Sequence, residues 1–295
     1  MQAAGNLPGL GDLLAGSQIG GARPYQEDEF RIAGFRDPDP DGCDFLMVVA
    51  DGMGGHQGGA EASRVAVAAF VDSFADEEGG VVERLRSALN AANAAVRSRA
   101  ARNVRLSGMG CTLVACVVTD REEAHWISVG DSPLWKVRSG GAERSEMVRM
   151  NADHSMRPVL EELVRLGHAT EEDVRMGSHQ LRSAVTGDDL ALVDLGGPAG
   201  LVPGDRLVLA SDGVEALPET RIRRLSTAPG TAEGMVHDLL DAVAELALPS
   251  QDNATVLVYR HVQKGAVRNR LARLTATTQP GARRAGHLAQ KEVSG

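Results

Sequence analysis

Residues 43–52 read CDFLMVVADG, an apolar run that ends in an aspartate and a glycine. Such a short and uninterrupted apolar run predicts a buried β-strand, and the pair Asp51-Gly52 predicts a turn at its end. The core then holds the carboxylate of Asp51 in place on one side and leaves it open on the other. The glycine allows close approach of the backbone, so the carbonyl of Gly52 is also a candidate ligand.

Acidic residues stand beside apolar runs at four further places: Asp212 after LVLAS, Asp131 after WISVG, Asp252 before ATVLVY, and Glu27 with Asp28 before Phe30. If these strand ends meet, the carboxylates repel one another unless a cation compensates them. No His or Cys stands at ligand spacing beside them, so the oxygen donors favour Mg²⁺ or Mn²⁺ over Zn²⁺. The alternative is that each Asp-Gly pair only makes a turn.

The pattern of apolar residues and turn signals predicts clusters of strands separated by paired helices. Helices are expected over 60–74, 83–102, 156–167 and 231–248, and another begins at Thr170 with the capping-box pair Thr170 and Asp173. Strands are expected over 111–119, 124–129, 134–138, 147–150, 190–195, 206–210 and 254–261. This order predicts a layered α+β domain rather than a regular βαβ repeat.

The composition argues against several classes of protein. The chain has 295 residues, 31 Lys and Arg against 40 Asp and Glu, and only 3% aromatic residues. A net charge of −9 with so few aromatic rings argues against a nucleic-acid binder. No apolar stretch is long enough to span a membrane, and the first residues lack the pattern of a secretory signal.

Three cysteines cannot form a paired disulfide framework. Cys111 and Cys116 stand five residues apart in an apolar run, where an extended chain turns them to opposite faces. Buried, reduced thiols suit a reducing compartment, so we expect a cytoplasmic protein.

We divide the chain into an N-terminal extension over residues 1–15, a main domain over 16–262 and a basic tail over 263–295. The tail carries seven Lys and Arg against one Glu, and we expect it to be flexible. A solvated tail and a segment that docks to an acidic partner are both compatible with this charge.

Seven motifs follow one another in a characteristic order: Arg23-Pro-Tyr-Gln-Glu27-Asp28, Asp51-Gly-Met-Gly-Gly-His56, Gly110-Cys-Thr112, Gly130-Asp131-Ser132, Asp153-His154-Ser155, Ser211-Asp212-Gly213 and Asp252-Asn253. This order resembles the metal-dependent serine/threonine protein phosphatases of type 2C, the PPM family, and its bacterial branch in particular. The resemblance extends from about Gly16 to Arg260, which is nearly the whole chain before the basic tail.

The resemblance implies a four-layer α-β-β-α sandwich, with two central antiparallel β-sheets flanked by helix pairs. It implies two Mn²⁺ or Mg²⁺ ions, with a third if Asp131 and Asp212 bind another. In this resemblance Asp51 bridges the two metals, the carbonyl of Gly52 binds one of them, and Asp212 with Asp252 completes the ligands of one metal. Glu27 and Asp28 bind the second metal, directly or through water. Arg23 binds the substrate phosphate. Arg23, Asp51 and Asp212 are thus the expected catalytic residues.

Some positions depart from the family's pattern. Met53 stands where some branches have a histidine that can donate a proton, so His56 becomes a candidate donor, although a structural role fits it as well. Pro133 stands where many members have an arginine, which removes a charge near Asp131. We expect His154 to orient a loop rather than bind metal. The segment 155–180 matches the flap beside the family's active site, and its charged residues suit either protein substrates or solvent.

The resemblance implies hydrolysis of phosphoserine and phosphothreonine by attack of a metal-bridging hydroxide, in opposition to a bacterial Ser/Thr kinase. Phosphorylated proteins and that kinase are therefore the expected partners of a monomeric enzyme. The alternative is a catalytically silent homologue that serves as a scaffold for phosphoproteins or a kinase. A third hypothesis is an active phosphatase whose target is a partner-switching regulator.

Overall fold

The apolar run that ends at Asp51 forms a central strand that is buried on both of its faces. Leu46, Val48 and Ala50 point into one apolar layer, and Phe45 with Val49 points into another. This explains why the run is continuously apolar rather than alternating, because side chains on both faces of the strand are covered. The computed structural model describes residues 3–4, 11–36, 43–54, 57–138 and 145–262.

Within these residues the strands form two large antiparallel sheets and one short pair. The strands are β1 (Ala3–Ala4), β2 (Leu14–Ile19), β3 (Glu29–Arg36), β4 (Cys43–Ala50), β5 (Gly52–Met53), β6 (Gly110–Cys111), β7 (Leu113–Val118), β8 (Glu123–Val129), β9 (Leu134–Arg138), β10 (Glu146–Arg149), β11 (Asp194–Gly200), β12 (Asp205–Ala210) and β13 (Ala254–Arg260). Sheet I has the order β1-β2-β13-β12-β9-β10, sheet II has the order β11-β8-β7-β4-β3, and β5 pairs with β6.

Six helices are described, of which the first two cover the outer face of sheet II and the last two cover that of sheet I. In chain order they are α1 (Gln57–Asp76), α2 (Val81–Arg102), α3 (Arg157–Arg165), α4 (Glu171–Gly177), α5 (Glu219–Thr227) and α6 (Ala232–Ala244). Short 3₁₀ turns lie at Val104–Leu106 and Asp212–Ala216. No described helix combines the length and the hydropathy that crossing a membrane requires.

Three apolar layers hold the fold together. Phe70 of α1 and Leu85 of α2 pack with the outer face of sheet II, and Leu239 of α6 packs with the outer face of sheet I. Between the sheets, Leu257 of β13 belongs to the same buried cluster as Val49 of β4. The order helix pair, sheet, sheet, helix pair confirms the expected four-layer α-β-β-α sandwich.

The predicted α1 and α2 are confirmed with small changes at their ends. The face of α2 that the sequence assigns to the core is buried, at Leu85, Leu89, Ala92 and Val96. Thr170 caps α4 in the expected capping box, since its hydroxyl accepts from the Asp173 N–H and Asp173 accepts from Thr170 in return.

The two described cysteines also agree with the expectation. Cys111 and Cys116 are free and buried, and they belong to different apolar layers.

The strand predicted over 190–195 is wrong for most of its length. Only its last two residues belong to β11, which runs on through Gly196, Gly197 and Pro198. This composition is unusual for a strand, but β11 is the outer strand of sheet II and is paired only with β8. An edge position tolerates a proline and a bulge, and the register shifts between Gly196 and Ala199.

The end of helix α6 differs from the prediction for a local reason. The helix predicted to reach residue 248 ends at Ala244, and Ala247 follows with a positive φ of 48°, which a helix does not contain.

The strands β2 and β3 and the helix α5 were not predicted. Strand β2 reads LAGSQI, and its Gly16 allows close approach of Phe30 and Leu257. Strand β2 starts at Leu14, two residues before the expected start of the main domain. The basic tail over 263–295 lies outside the described residues.

Candidate metal centre

The predicted acidic residues stand at the ends of strands from both sheets. In sheet II, Asp51 follows β4 directly, and Asp131 follows β8 after one glycine. In sheet I, Asp212 follows β12 after one serine, and Asp252 precedes β13 by two residues. The site is therefore built where the ends of the two sheets meet.

One open cavity of about 760 Å³ brings most of these side chains together. The predicted site residues that line it are Arg23, Glu27, Asp51, Gly52, Asp131, Asp212 and Asp252. Asp28 is the described residue of the predicted site that does not line the cavity. Asp28 is buried behind the cavity, and His56 lies outside the described residues.

Asp51 and Asp212 form the centre of the acidic group and are hydrogen-bonded to each other. Burial raises the pKa of Asp51 well above its usual range, and the charges of Asp28 and Asp212 raise it further. Burial also raises the pKa of Asp212, which the hydrogen bond from Asp51 opposes. Two carboxylates in hydrogen-bond contact share a proton when no cation lies between them.

Thr112 fixes the position of Asp51 from the side of sheet II. The Asp51 N–H donates to the Thr112 hydroxyl at 3.0 Å, and the Thr112 N–H donates to the Asp51 carbonyl at 2.8 Å. The hydroxyls of Thr112 and Ser132 are 2.7 Å apart, which connects this contact to the residue after Asp131. These bonds explain why Thr112 and Ser132 occur in motifs without any ligand role.

Asp28 is only 3% exposed and is held by hydroxyl groups of sheet I. Its Oδ2 accepts from Ser211 Oγ and from Thr255 Oγ1, each at 2.7 Å. Its other oxygen, Oδ1, is buried and has no hydrogen-bond partner. Burial raises the pKa of Asp28 to about 7 in spite of the two hydroxyl donors. An unsatisfied buried carboxylate oxygen costs free energy, so Asp28 fits a site that a cation or a bridging water completes.

Acidic and basic side chains surround Asp131, and this arrangement was not predicted from the sequence. Burial raises the pKa of Asp131 to about 7, and the charges of Asp212 and Asp153 add to this. Arg149 donates to the Asp131 carbonyl and lies within ion-pair distance of Asp153 and Glu215. Many members of the family have an arginine at the position of Pro133. In this chain Arg149 places a positive charge near Asp131 instead.

Arg23 and Asp252 form an ion pair of 2.6 Å at the mouth of the cavity. Their side chains are 48% and 41% exposed, so solvent weakens the attraction and the pair is easily exchanged for other partners. Asn253 holds this corner together, because it accepts from the Glu27 N–H at 2.8 Å and donates to the Gly20 carbonyl at 2.9 Å.

The glycines after Asp51 and Asp212 are needed for close backbone contact. A Cβ on Gly52 would lie 2.3 Å from the Gly59 carbonyl oxygen, and one on Gly213 would lie 1.9 Å from the Asn253 carbonyl oxygen. These Asp-Gly pairs are therefore more than turns, since they allow separate segments to meet at the site.

The donor set fits hard divalent cations, because it consists of carboxylate and carbonyl oxygens with little positive charge among them. In the described part of the chain, no three Asp, Glu, His or Cys side chains already form a complete ligand set for one ion. Asp252 is turned toward Arg23, and Asp51 lies against Asp212.

Two histidines near the site have different surroundings. His154 is buried, and its Nδ1 accepts from the Gly130 N–H at 3.3 Å, which agrees with the loop-orienting role expected for it. His179 follows α4 and lines the cavity. The sequence did not single out His179, because nothing in the polar stretch around it signals contact with residues so far along the chain.

The sequence profile described as "Protein phosphatase 2C" matches residues 34–251. Arg23, Glu27 and Asp28 precede the matched range and Asp252 follows it. The placement of Arg23, Glu27 and Asp252 at the same cavity is thus a finding of the structure, separate from the profile match.

Among its relatives, the chain is 31% identical to the serine/threonine protein phosphatase PstP of Mycobacterium tuberculosis over 219 residues. These are 72% of this chain but only 40% of PstP. It is 27% identical to the serine/threonine phosphatase stp of Listeria monocytogenes, over 83% of this chain and 95% of that one. The crystal structure of the catalytic domain of PstP in complex with two manganese ions matches with a TM-score of 0.64 and 26% identity. That match covers 89% of this chain and 100% of that domain. The chain therefore belongs to the protein phosphatase 2C family, whose members of these names are serine/threonine phosphatases.

Proposed function

We propose that the chain is a metal-dependent phosphatase that hydrolyses phosphoserine and phosphothreonine in proteins. The observation that carries the proposal is the cavity in which six carboxylates meet two exposed arginines, Arg23 and Arg182. Hard cations among the carboxylates, with an arginine at the mouth, suit the binding of a phosphate group on a protein surface.

We propose Mn²⁺ or Mg²⁺ as the cofactor, because the related catalytic domain of PstP binds two manganese ions. The residues that would hold two ions are Asp51, the carbonyl of Gly52, Asp212, Asp252, Glu27 and Asp28, and a third ion would use Asp131 with Asp212. When bound, such cations make a water molecule more acidic and neutralise charge on the phosphoryl oxygens. The raised pKa values of Asp28 and Asp131 show how strongly this group of carboxylates favours a compensating charge.

One residue of the chain binds the phosphate group, and several others hold the carboxylates in position. Arg23 binds two phosphoryl oxygens through its planar guanidinium group, for which its ion pair with Asp252 must open. Thr112 and Ser132 keep Asp51 in place, and Ser211 with Thr255 does the same for Asp28. None of these roles requires a phosphorylated enzyme intermediate.

A turnover assay with a phosphoserine peptide tests the proposal. We expect hydrolysis with Mn²⁺, none after thorough chelation, and recovery when Mn²⁺ is returned. Asp212→Asn should lower kcat at least about 100-fold, because it removes a charge from the centre of the cation site. Asp238→Asn on the exposed face of α6 is the matched control and should leave kcat unchanged. Undiminished turnover in a metal chelator would refute the proposal.

We also propose binding partners and a cellular compartment for the chain. We infer that the chain opposes a Ser/Thr kinase, with a partner-switching regulator as the other candidate target. Its free and buried Cys111 and Cys116 support a reducing compartment such as the cytoplasm, and we propose that it acts there as a monomer. A catalytically silent scaffold has no support, because Asp51, Asp212 and Asp252 are all present at the cavity and the relatives are named as phosphatases.

A further inference from the structure

We infer that His179 donates the proton that the leaving serine or threonine oxygen takes up during hydrolysis. This inference rests on the proposed phosphatase activity and assigns the proton donor that the activity needs. An alkoxide is a poor leaving group, so a positioned acid contributes about 10²–10⁴-fold to the rate.

The position of His179 relative to the acidic group supports this role. His179 lines the same cavity as Arg23, Asp51 and Asp212. Among the described residues that line the cavity, it is the one histidine. Met53, which lines the cavity directly after Gly52, has no proton to donate.

Several hydrogen bonds connect the segment of His179 to the end of strand β8. The Met156 N–H donates to the Gln180 carbonyl at 2.8 Å, and the Arg182 N–H donates to the His154 carbonyl at 2.8 Å. His154 in turn is bound to Gly130, the residue before Asp131. The backbone on the C-terminal side of His179 is therefore fixed to the strand end that carries one of the acidic groups.

His179 is exposed at the cavity while Ser178 before it is buried. An exposed imidazole in a cavity wall reaches both a bound phosphoprotein and bulk water. This allows it to give a proton to the substrate and to regain one from solvent.

Hydrolysis exchanges one bond of phosphorus to oxygen for another. The oxygen of a water molecule forms a new bond to phosphorus, and the bond between phosphorus and the serine oxygen breaks, with its electron pair remaining on that oxygen. The serine oxygen takes the proton from the ring N–H of His179. One proton of the attacking water is released to solvent, and solvent returns a proton to His179. The products are inorganic phosphate and the free hydroxyl of the protein.

The dependence of the rate on the leaving group tests the inference. His179→Gln is compared with wild type on a phosphoserine peptide and on 4-nitrophenyl phosphate, whose leaving group departs without a proton. We expect kcat to fall about 10²–10⁴-fold on the peptide and less than about threefold on the nitrophenyl ester. His168→Gln, an exposed histidine of the same segment, is the matched control and should change neither rate.

Three results would overturn the inference: an unchanged peptide rate in His179→Gln, an equal loss on both substrates, or a selective loss on the peptide in His56→Gln instead. Calorimetric titration with Mn²⁺ adds a readout apart from activity, and we expect wild-type affinity in His179→Gln. A large loss of affinity would assign His179 to the cation site and contradict the donor role. If wild type hydrolyses neither substrate with Mn²⁺, the proposed activity itself fails, and this outcome is distinct from the others.

Discussion

At the scale of single residues, Asp51 and Asp212 show why the site calls for a cation. Their side chains are hydrogen-bonded, and burial raises the pKa of both. A protein that needed these residues only for stability would gain by replacing one of them with a neutral partner. Both side chains line a cavity that is open to solvent, which fits a site where a bound cation compensates their repulsion.

Gly213 offers a test of how closely the segments at the site must approach. A Cβ at this position would lie 1.9 Å from the Asn253 carbonyl oxygen, so Gly213→Ala must push apart the segments that carry Asp212 and Asp252. We expect a loss of about 1–3 kcal/mol in the free energy of unfolding and a large drop in Mn²⁺ affinity. Denaturant unfolding and calorimetry measure the two effects.

Gly200→Ala is the matched control, because nothing lies within 4 Å of a Cβ there and it should change neither quantity. Wild-type Mn²⁺ affinity in Gly213→Ala would show that the two acidic segments do not need this contact.

How far single residues can be predicted from the sequence depends on how local their contacts are. Asp51 and Asp212 follow apolar runs and precede glycine, so their place at strand ends is readable in the sequence itself. The surroundings of Asp28 are not, because the hydroxyls of Ser211 and Thr255 that hold it are 183 and 227 residues away in the chain. His179 was not predicted as a site residue for the same reason, since the residues around it at the cavity are distant in the chain.

At the scale of elements, helix α2 positions one wall of the cavity. Asn93 on α2 donates to the Asp188 carbonyl at 2.7 Å and accepts from the Gly187 N–H at 2.8 Å. Residues on either side of this turn, Thr186 and Asp189, line the cavity. The side chain of Asn93 thus connects a helix of the outer layer to the edge of the active site.

Asn93→Ala should therefore loosen this wall without touching the acidic residues. We expect KM for a phosphoserine peptide to rise several-fold, since each of the two lost hydrogen bonds is worth about 1 kcal/mol, while Mn²⁺ affinity stays unchanged. Steady-state kinetics and calorimetry make the comparison. Asn90→Ala, exposed one turn earlier on α2, should leave KM as it is. An unaltered KM in Asn93→Ala would contradict a role for this contact in substrate binding.

Elements whose apolar residues repeat at a regular spacing were predicted well. Elements whose conformation depends on contacts with neighbouring strands were not. The core face of α2 repeats at three and four residues and is buried as expected. Strand β11 contains three glycines and a proline, and its extended conformation depends on pairing with β8. Strand β2 has a glycine at the position where Phe30 and Leu257 pack against its backbone.

At the scale of the whole molecule, the acidic group lies where the two sheets meet, beyond the apolar layer between them. Asp51 and Asp131 belong to sheet II, while Asp212 and Asp252 belong to sheet I. Cations shared by these residues would connect the two sheets at one end of the sandwich. Binding of Mn²⁺ should therefore stabilise the entire domain against unfolding, because the unfolded chain lacks the site.

The pH dependence of this stabilisation follows from the pKa values of the acidic group. The pKa of Asp28 and that of Asp131 are raised to about 7, so the folded, metal-free protein binds more protons than the unfolded chain between about pH 4 and pH 7. These groups therefore lower stability as the pH rises through that range. A cation must displace the same protons, so its affinity increases with pH, by about tenfold per pH unit for each proton released.

We expect the rise in Tm caused by a fixed concentration of Mn²⁺ to be larger at pH 7.5 than at pH 6. Buried His125, His154 and His261 have lowered pKa values and also make stability depend on pH. Their contributions are present with and without the cation, so they cancel in the difference between the two melting curves. Scanning calorimetry in Mn²⁺ and in chelator, at both pH values, measures this difference. A rise in Tm that does not change with pH would mean that Mn²⁺ binds without displacing protons from Asp28 and Asp131.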